Sequence, residues 1–238
     1  MKMKHSLRKI TMLLAALSMM TNTYAVAPDF MEKLNSDERP AADRARDGVR
    51  RPYQVMNLAG VEEGMTVLDI SSGGGWYARV LAAAIGPGGM IYAQDLGAGG
   101  RVPAEQIQDL TSMSNLQAVD NVSDVPTNSI DLAVFGLESH HRDDESGVAF
   151  FREIYNALKP GGRLVYTEYV GDPATDFRAM HRLPIEVGRR WALEAGFEIV
   201  EDSDILRTSA DDHSLPIFSP VLGRNVDRFL FILEKPAM

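Results

Sequence analysis

Two short stretches of this chain hold residue types that could do chemistry. The first, Leu68 to Tyr77, reads LDISSGGGWY. Residues without a Cβ at Gly73, Gly74 and Gly75 would let the backbone pass close to a ligand and turn its N–H groups toward it. Asp95 follows Gly75 by twenty residues, the interval at which a carboxylate accepts both hydroxyls of a ribose. The second stretch, Glu138 to Asp144, reads ESHHRDD. The imidazoles of His140 and His141 titrate near neutral pH and can take a proton from a substrate hydroxyl or amine. The competing reading makes both histidines ordinary capping or loop residues. His140, His141, Asp143 and Asp144 are also residue types that bind metals, but their spacing matches no ligand motif, so no metal is expected.

Such residues need elements that bring them to one edge. Apolar runs of strand length occur at 65–70, 89–94, 116–119, 130–135 and 163–169, and stretches of helical period lie between them at 76–85, 103–113 and 147–158. This alternation predicts βαβ units with a parallel sheet covered by helices on both faces. Beyond Pro184 the order changes to a helix ending near Ala195, a strand at 197–200 and a last apolar strand at 226–233. Two strands without a helix between them predict an antiparallel terminal pair. The expected fold is therefore α/β, a Rossmann-like, doubly wound, mostly parallel seven-stranded sheet. The glycines then open the first helix after the first strand, Asp95 ends the second strand, and the histidines follow the fourth. All three positions are at the carboxyl side of the sheet, where open α/β folds bind ligands.

The remaining sequence limits the setting. Lys2, Lys4, Arg8 and Lys9 precede an apolar run, Ile10 to Met20, and Thr23-Tyr24-Ala25 supplies small residues for cleavage. The pattern predicts a signal peptide over residues 1–25, export to the periplasm or medium, and no stable membrane insertion after cleavage, since the apolar run is too short to span a bilayer. A helical segment at 26–60 and one domain at 61–238 would follow. Removal of residues 1–25 takes the formal net charge from −9 to −13. An acidic chain repels phosphates, so nucleic acid is not expected as a partner. The absence of cysteine excludes disulfides and thiolate chemistry, and agrees with an oxidising compartment without establishing one. The charged segment from Asp43 to Arg51 reads as a solvated helix face laced with ion pairs.

Gly73 to Ala78 satisfies the dinucleotide pattern G-x-G-x-x-A, so NAD is a rival ligand. Asp69, just before the loop, favours a ligand with an ammonium group and would repel a pyrophosphate. On Asp69, Gly73-Gly74-Gly75-Trp76-Tyr77, Leu158-Lys159-Pro160-Gly161-Gly162, Arg44-Ala45-Arg46-Asp47 with Arg51-Pro52, His181-Arg182 and Asp227-Arg228-Phe229, the chain resembles the class I S-adenosylmethionine-dependent methyltransferases. More narrowly, it resembles a group of exported bacterial proteins known as predicted methyltransferases. The resemblance implies S-adenosylmethionine as cofactor and a small-molecule methyl acceptor. It implies that Asp69, Ser71, Gly73 and Gly75 surround the amino acid moiety of the cofactor, with Ser71 where the motif has its first glycine. Asp95 would bind the ribose, and Asn121 with Val122 would contact the adenine. His140 and His141 become candidate catalytic bases, and Arg46, Trp76, Tyr77 and His181 candidates for substrate contact.

Overall fold

Side-chain alternation along the strands builds the protein in layers. In β4 (Ile130–Gly136), Leu132 and Val134 pack on one face and Ala133 and Phe135 on the other, and all four are buried. A strand that is apolar on both sides must lie inside a sheet covered on both sides. The computed structural model describes residues 26–97 and 103–237. The predicted leader, residues 1–25, lies outside the described residues.

The central strands are β1 (Thr66–Ile70), β2 (Met90–Gln94), β3 (Leu116–Val119), β4 and β5 (Leu158–Tyr169), followed by β6 (Glu198–Ser203) and β7 (Arg228–Glu234). They form one seven-stranded sheet in the order β3-β2-β1-β4-β5-β7-β6. β7 runs antiparallel to both β5 and β6, and the other neighbours are parallel. Strand order reverses between β1 and β4, which opens a crevice at their carboxyl ends. On one face pack α1 (Phe30–Asn35), α3 (Pro52–Ala59) and α4 (Trp76–Ile85), against Val67, Ile91, Leu132, Val165, Leu230 and Ile232. On the other, α6 (Asp144–Ala157) and α7 (Ile185–Ala195) cover Leu68, Phe135, Tyr166, Phe229 and Phe231.

Two segments differ from the sequence expectation. β5 begins at Leu158 instead of 163, so Lys159-Pro160-Gly161-Gly162 forms an irregular start to the strand. Gly161 has φ +78°, and a Cβ on Gly162 would meet the Lys159 carbonyl oxygen at 2.8 Å. Lys159 Nζ donates to Asp131 Oδ1 at 2.6 Å, and Asp131 Oδ2 accepts from the Thr66 N–H at 2.9 Å. This element therefore ties β1, β4 and β5 together at the amino end of the sheet, away from the ligand edge. Second, α2 (Ala41–Arg50) is not a merely solvated helix. Asp43 is buried and pairs with Arg79 of α4 at 3.0 Å, and the Trp76 indole N–H reaches the Asp43 carbonyl and the Asp47 carboxylate. Arg79 also donates to Gln106 of α5 (Ala104–Thr111).

The connections at 170–184 and 204–227 are joined by one buried ion pair. Arg182, fully buried, donates to both oxygens of Asp211 at 2.9 Å, to the Val170 carbonyl at 2.9 Å and to the Leu215 carbonyl at 3.0 Å. Asp211 in turn accepts from the backbone N–H of His213 and Asp227. Removing the carboxylate would leave a desolvated guanidinium without its charge partner, so Asp211→Ala is expected to destabilise the protein by about 3–5 kcal/mol. Urea denaturation monitored by circular dichroism checks this, and a loss below about 1 kcal/mol would contradict it.

Candidate active site at the carboxyl edge of the sheet

The loop after β1 is organised around a buried acid. Asp69 accepts from the Ser72 hydroxyl at 2.6 Å and from the Ala78 backbone N–H near the start of α4. Burial pushes the Asp69 carboxyl up to about 7, against the opposing effect of these two donors and of the Arg50 charge. Ser71 has φ +54°, a conformation that glycine enters without a Cβ penalty. Its N–H is taken by the Gln94 side-chain oxygen at 2.9 Å. Gly73 and Gly75 both have positive φ, yet they differ in surroundings. A Cβ on Gly75 would lie 2.1 Å from Leu110 of α5, whereas one on Gly73 would meet nothing nearer than the Ser71 carbonyl oxygen at 3.8 Å. The left-handed conformation at 75 favours glycine, with the Leu110 side chain of α5 close by, and Gly73 leaves the open side of the loop.

Gln94, which the sequence reading did not single out, links three strand ends. Besides accepting from Ser71, its amide donates to the Asp120 carbonyl at 3.0 Å, and its own carbonyl accepts from the Ser72 N–H at 2.8 Å. Asp95 follows with φ +55° and an exposed side chain, as a carboxylate positioned for a ligand requires. Val122 is buried beneath that edge, while the Asn121 backbone N–H and side-chain amide both donate to Asp124.

The histidine stretch and a third, distant histidine converge. His140 is buried at the end of β4, and its Nδ1 lies 3.1 Å from Glu168 Oε2 of β5. A carboxylate only accepts, so Nδ1 carries the proton and Nε2 presents a lone pair. That Nε2 lies 3.2 Å from His181 Nδ1. The His141 ring is 4.1 Å from that of His140 and 5.2 Å from that of His181, between centroids. Glu168 is fully buried and also accepts from the Ser139 N–H and hydroxyl and from the Tyr169 N–H. Burial lowers the pKa of both His141 and His181, because the charged ring would lose hydration. Asp143 and Asp144 are occupied elsewhere: Asp143 caps α6 through Ser146, and Asp144 accepts from Arg190 and Trp191. The third partner of His140 and His141 is thus His181, forty-one positions from His140. Glu168 and His181 reach opposite nitrogens of the His140 ring only after β5 and the following loop have folded.

Arginines and aromatics line the approach from α2 and β7. The Arg50 guanidinium lies 4.7 Å over the Trp76 ring and 5.9 Å from Tyr77, and Arg228 lies 5.0 Å from Tyr169. Burial lowers the Arg50 pKa, and the nearby charges of Arg46 and Arg228 add to that effect. Arg228 is buried, and its Nε has no hydrogen-bond partner. Among the described residues none of the three arginines forms an ion pair. A separate cleft of about 400 Å³, lined by Arg39, Arg79, Gly86, Asp109 and Met113 among others, lies beside α4 and α5. It contains none of the predicted site residues, and its arginines are already paired.

Residues 67–162 match the family model described as a methyltransferase domain. The ubiquinone/menaquinone biosynthesis C-methyltransferase UbiE of Pasteurella multocida is 26% identical over 178 residues, which are 69% of this chain and 62% of that protein. The chain spans between about half and three-fifths of the length of the first such relatives. A SAM-dependent methyltransferase from Aquifex aeolicus superposes with a TM-score of 0.58 at 17% identity, covering 88% of this chain and 98% of that one. The [4+2]-cyclase SpnF superposes with a TM-score of 0.58 at 18% identity, covering 86% of each chain. The sheet and the loop after β1 define the class I methyltransferase fold. The matches to residues 67–162 and to the UbiE proteins support a relationship to the S-adenosylmethionine-dependent methyltransferases of that class.

The raised pKa of Asp69 sets a pH dependence. Between about 3.8, the ordinary carboxyl value, and about 7, the folded protein keeps a proton on Asp69 that the unfolded chain has lost. This contribution to stability is complete below about pH 3.8 and is lost as the pH rises through 7, with a slope of up to about 1.4 kcal/mol per pH unit. In Asp69→Asn the slope should flatten across that window by this amount, read as the wild-type minus variant difference in unfolding free energy. Parallel pH profiles would contradict the assignment.

Proposed function

We propose that the protein transfers the methyl group of S-adenosylmethionine to a small acceptor that carries an anionic group. The observation that supports this reading most is the glycine-rich loop after β1, which follows the buried Asp69 and leaves open space at Gly73. Asp69 suits the cofactor's ammonium, Asp95 its ribose hydroxyls, and Val122 with Asn121 the adenine. The cofactor supplies a methyl group on a positively charged sulfur. The chain's task is to hold an acceptor atom in line with that group and exclude water. Of the histidines, His141 and His181 reach the surface, while His140 orients them from below with Glu168 behind it. Their lowered pKa values keep the two outer imidazoles neutral and able to accept the acceptor's proton. Arg46, Arg50 and Arg228, which form no ion pair among the described residues, suit an anionic group on the acceptor, and Trp76 and Tyr77 form the apolar wall beside them. The leader features of residues 1–25 support action outside the cytoplasm, and N-terminal sequencing of the exported protein should begin at Val26.

A second reading, a protein that uses this fold to bind a ligand without methyl transfer, is favoured by Ser71. Its N–H is already bonded to Gln94, and it holds a glycine-type conformation. The fold alone does not fix the reaction, as its sharing with a protein titled a [4+2]-cyclase illustrates. Calorimetric titration with S-adenosylmethionine, S-adenosylhomocysteine and NAD separates the possibilities, and only the first two should bind. Near pH 6 the titration should release a proton from Asp69 as the ammonium arrives, seen as a dependence of the heat on buffer ionisation enthalpy. Asp95→Asn should lower cofactor affinity about tenfold to a hundredfold by losing charge-assisted hydrogen bonds. His141→Ala should lower turnover about a hundredfold and leave cofactor affinity unchanged. If NAD binds instead, or neither sulfur nucleoside does, the proposal fails.

A further inference from the structure

We propose that His140, His141 and His181 form a binding site for one divalent transition-metal ion, with Glu168 as the outer partner that orients His140. Three of the chain's five histidines meet at one corner of the carboxyl edge. One ring nitrogen from each lies within 4.8 Å of the others. A four-coordinate ion with metal–nitrogen bonds of about 2.0–2.1 Å holds its ligand atoms about 3.3 Å apart. His140 Nε2 and His181 Nδ1, at 3.2 Å, already have that separation. His141 is more than half exposed and His181 is partly exposed, so small side-chain rotations can close the remaining gap.

The buried member of the set has the surroundings of a metal-bound imidazole. Such a ligand usually donates its second ring N–H to a carboxylate, which fixes the tautomer and raises the basicity of the ligating nitrogen. Glu168 accepts from His140 Nδ1 in this way and is itself held by the Ser139 and Tyr169 N–H groups. His140 Nε2 is therefore left with its lone pair directed toward the other two rings. Imidazole donors suit zinc, copper, nickel and iron, and not magnesium or calcium. Three ligands leave a fourth position open for water or for a heteroatom of a substrate, the pattern of catalytic sites and not of closed structural ones. The Phe218 ring packs edge-on against His181 with centroids 4.8 Å apart and forms an apolar wall on that side.

The site shares His141 and His181 with the proton acceptors proposed above, so a bound ion would take up their lone pairs, and it is tested without the cofactor. Tag-free full-length protein, stripped with a chelator and dialysed, is titrated with Zn²⁺ by calorimetry and with Co²⁺ by visible absorption. The expected result is one equivalent of Zn²⁺, and a Co²⁺ complex with the intense visible bands of a four-coordinate ion. His141→Ala and His181→Ala should each weaken Zn²⁺ binding by at least about tenfold to a hundredfold, the loss typical even for outer partners. Each metal-free variant should melt like the metal-free wild type, since both residues lie at the surface. No saturable binding by wild-type protein would overturn the proposal. So would a double variant, His141→Ala with His181→Ala, that binds Zn²⁺ as the wild type does. Binding of S-adenosylmethionine, measured separately on the stripped protein, reports on the methyltransferase reading alone.

Discussion

The Glu168 carboxylate is the constraint on which the histidine corner depends. It is fully buried at the end of β5 and accepts from Ser139, His140 and Tyr169. A buried anion is tolerated only when its lone pairs are satisfied, and here the donors come from the segment that follows β4. Satisfying Glu168 therefore fixes the path of residues 137–141. Leu137, at φ +68°, turns the chain sharply enough to bring the Ser139 and His140 N–H groups onto one oxygen. The imidazole of His140 follows from that geometry, and His181 meets it from the other side.

The second half of the corner depends on Arg182. His181 has φ +55°, and its neighbour Arg182 is locked by Asp211 and two carbonyls. One ion pair thus sets the angle at which the β5–α7 connection faces the histidines. The two networks adjoin at Tyr169 and Val170 and meet again at the histidines, where His140 Nε2 lies 3.2 Å from His181 Nδ1. On the opposite flank, Gln94 performs a similar task for the cofactor loop by joining the ends of β1, β2 and β3.

Much of this architecture was legible because parallel strands covered on both faces are written as apolar runs. The runs beginning near Met65, Met90, Leu116 and Ile130 emerge as β1 to β4, and Asp69 and Asp95 lie at strand ends. What the sequence hides is mostly long-range. Glu168, in the run VYTEYV, reads as an ordinary outward-facing strand residue until its donors arrive from the segment after β4. His181 has no local pattern that links it to His140. Asp43 and Asp47 look like a solvated face, because nothing in their spacing shows that Arg79 and Trp76 will cover them. Gly75 was legible as a glycine position, and the neighbour that its spacing does not show is the Leu110 side chain.

The strand latest in the chain fills an interior position of the sheet. Until residues 228–234 leave the ribosome, β5 keeps a free row of backbone donors and acceptors, and β6 has no partner at all. Such an open edge can pair with other chains, so a copy in which β7 is not yet in place is exposed to association. Arg228 arrives on that same closing strand. The place of Arg228 beside Tyr169 therefore depends on the closure of that edge.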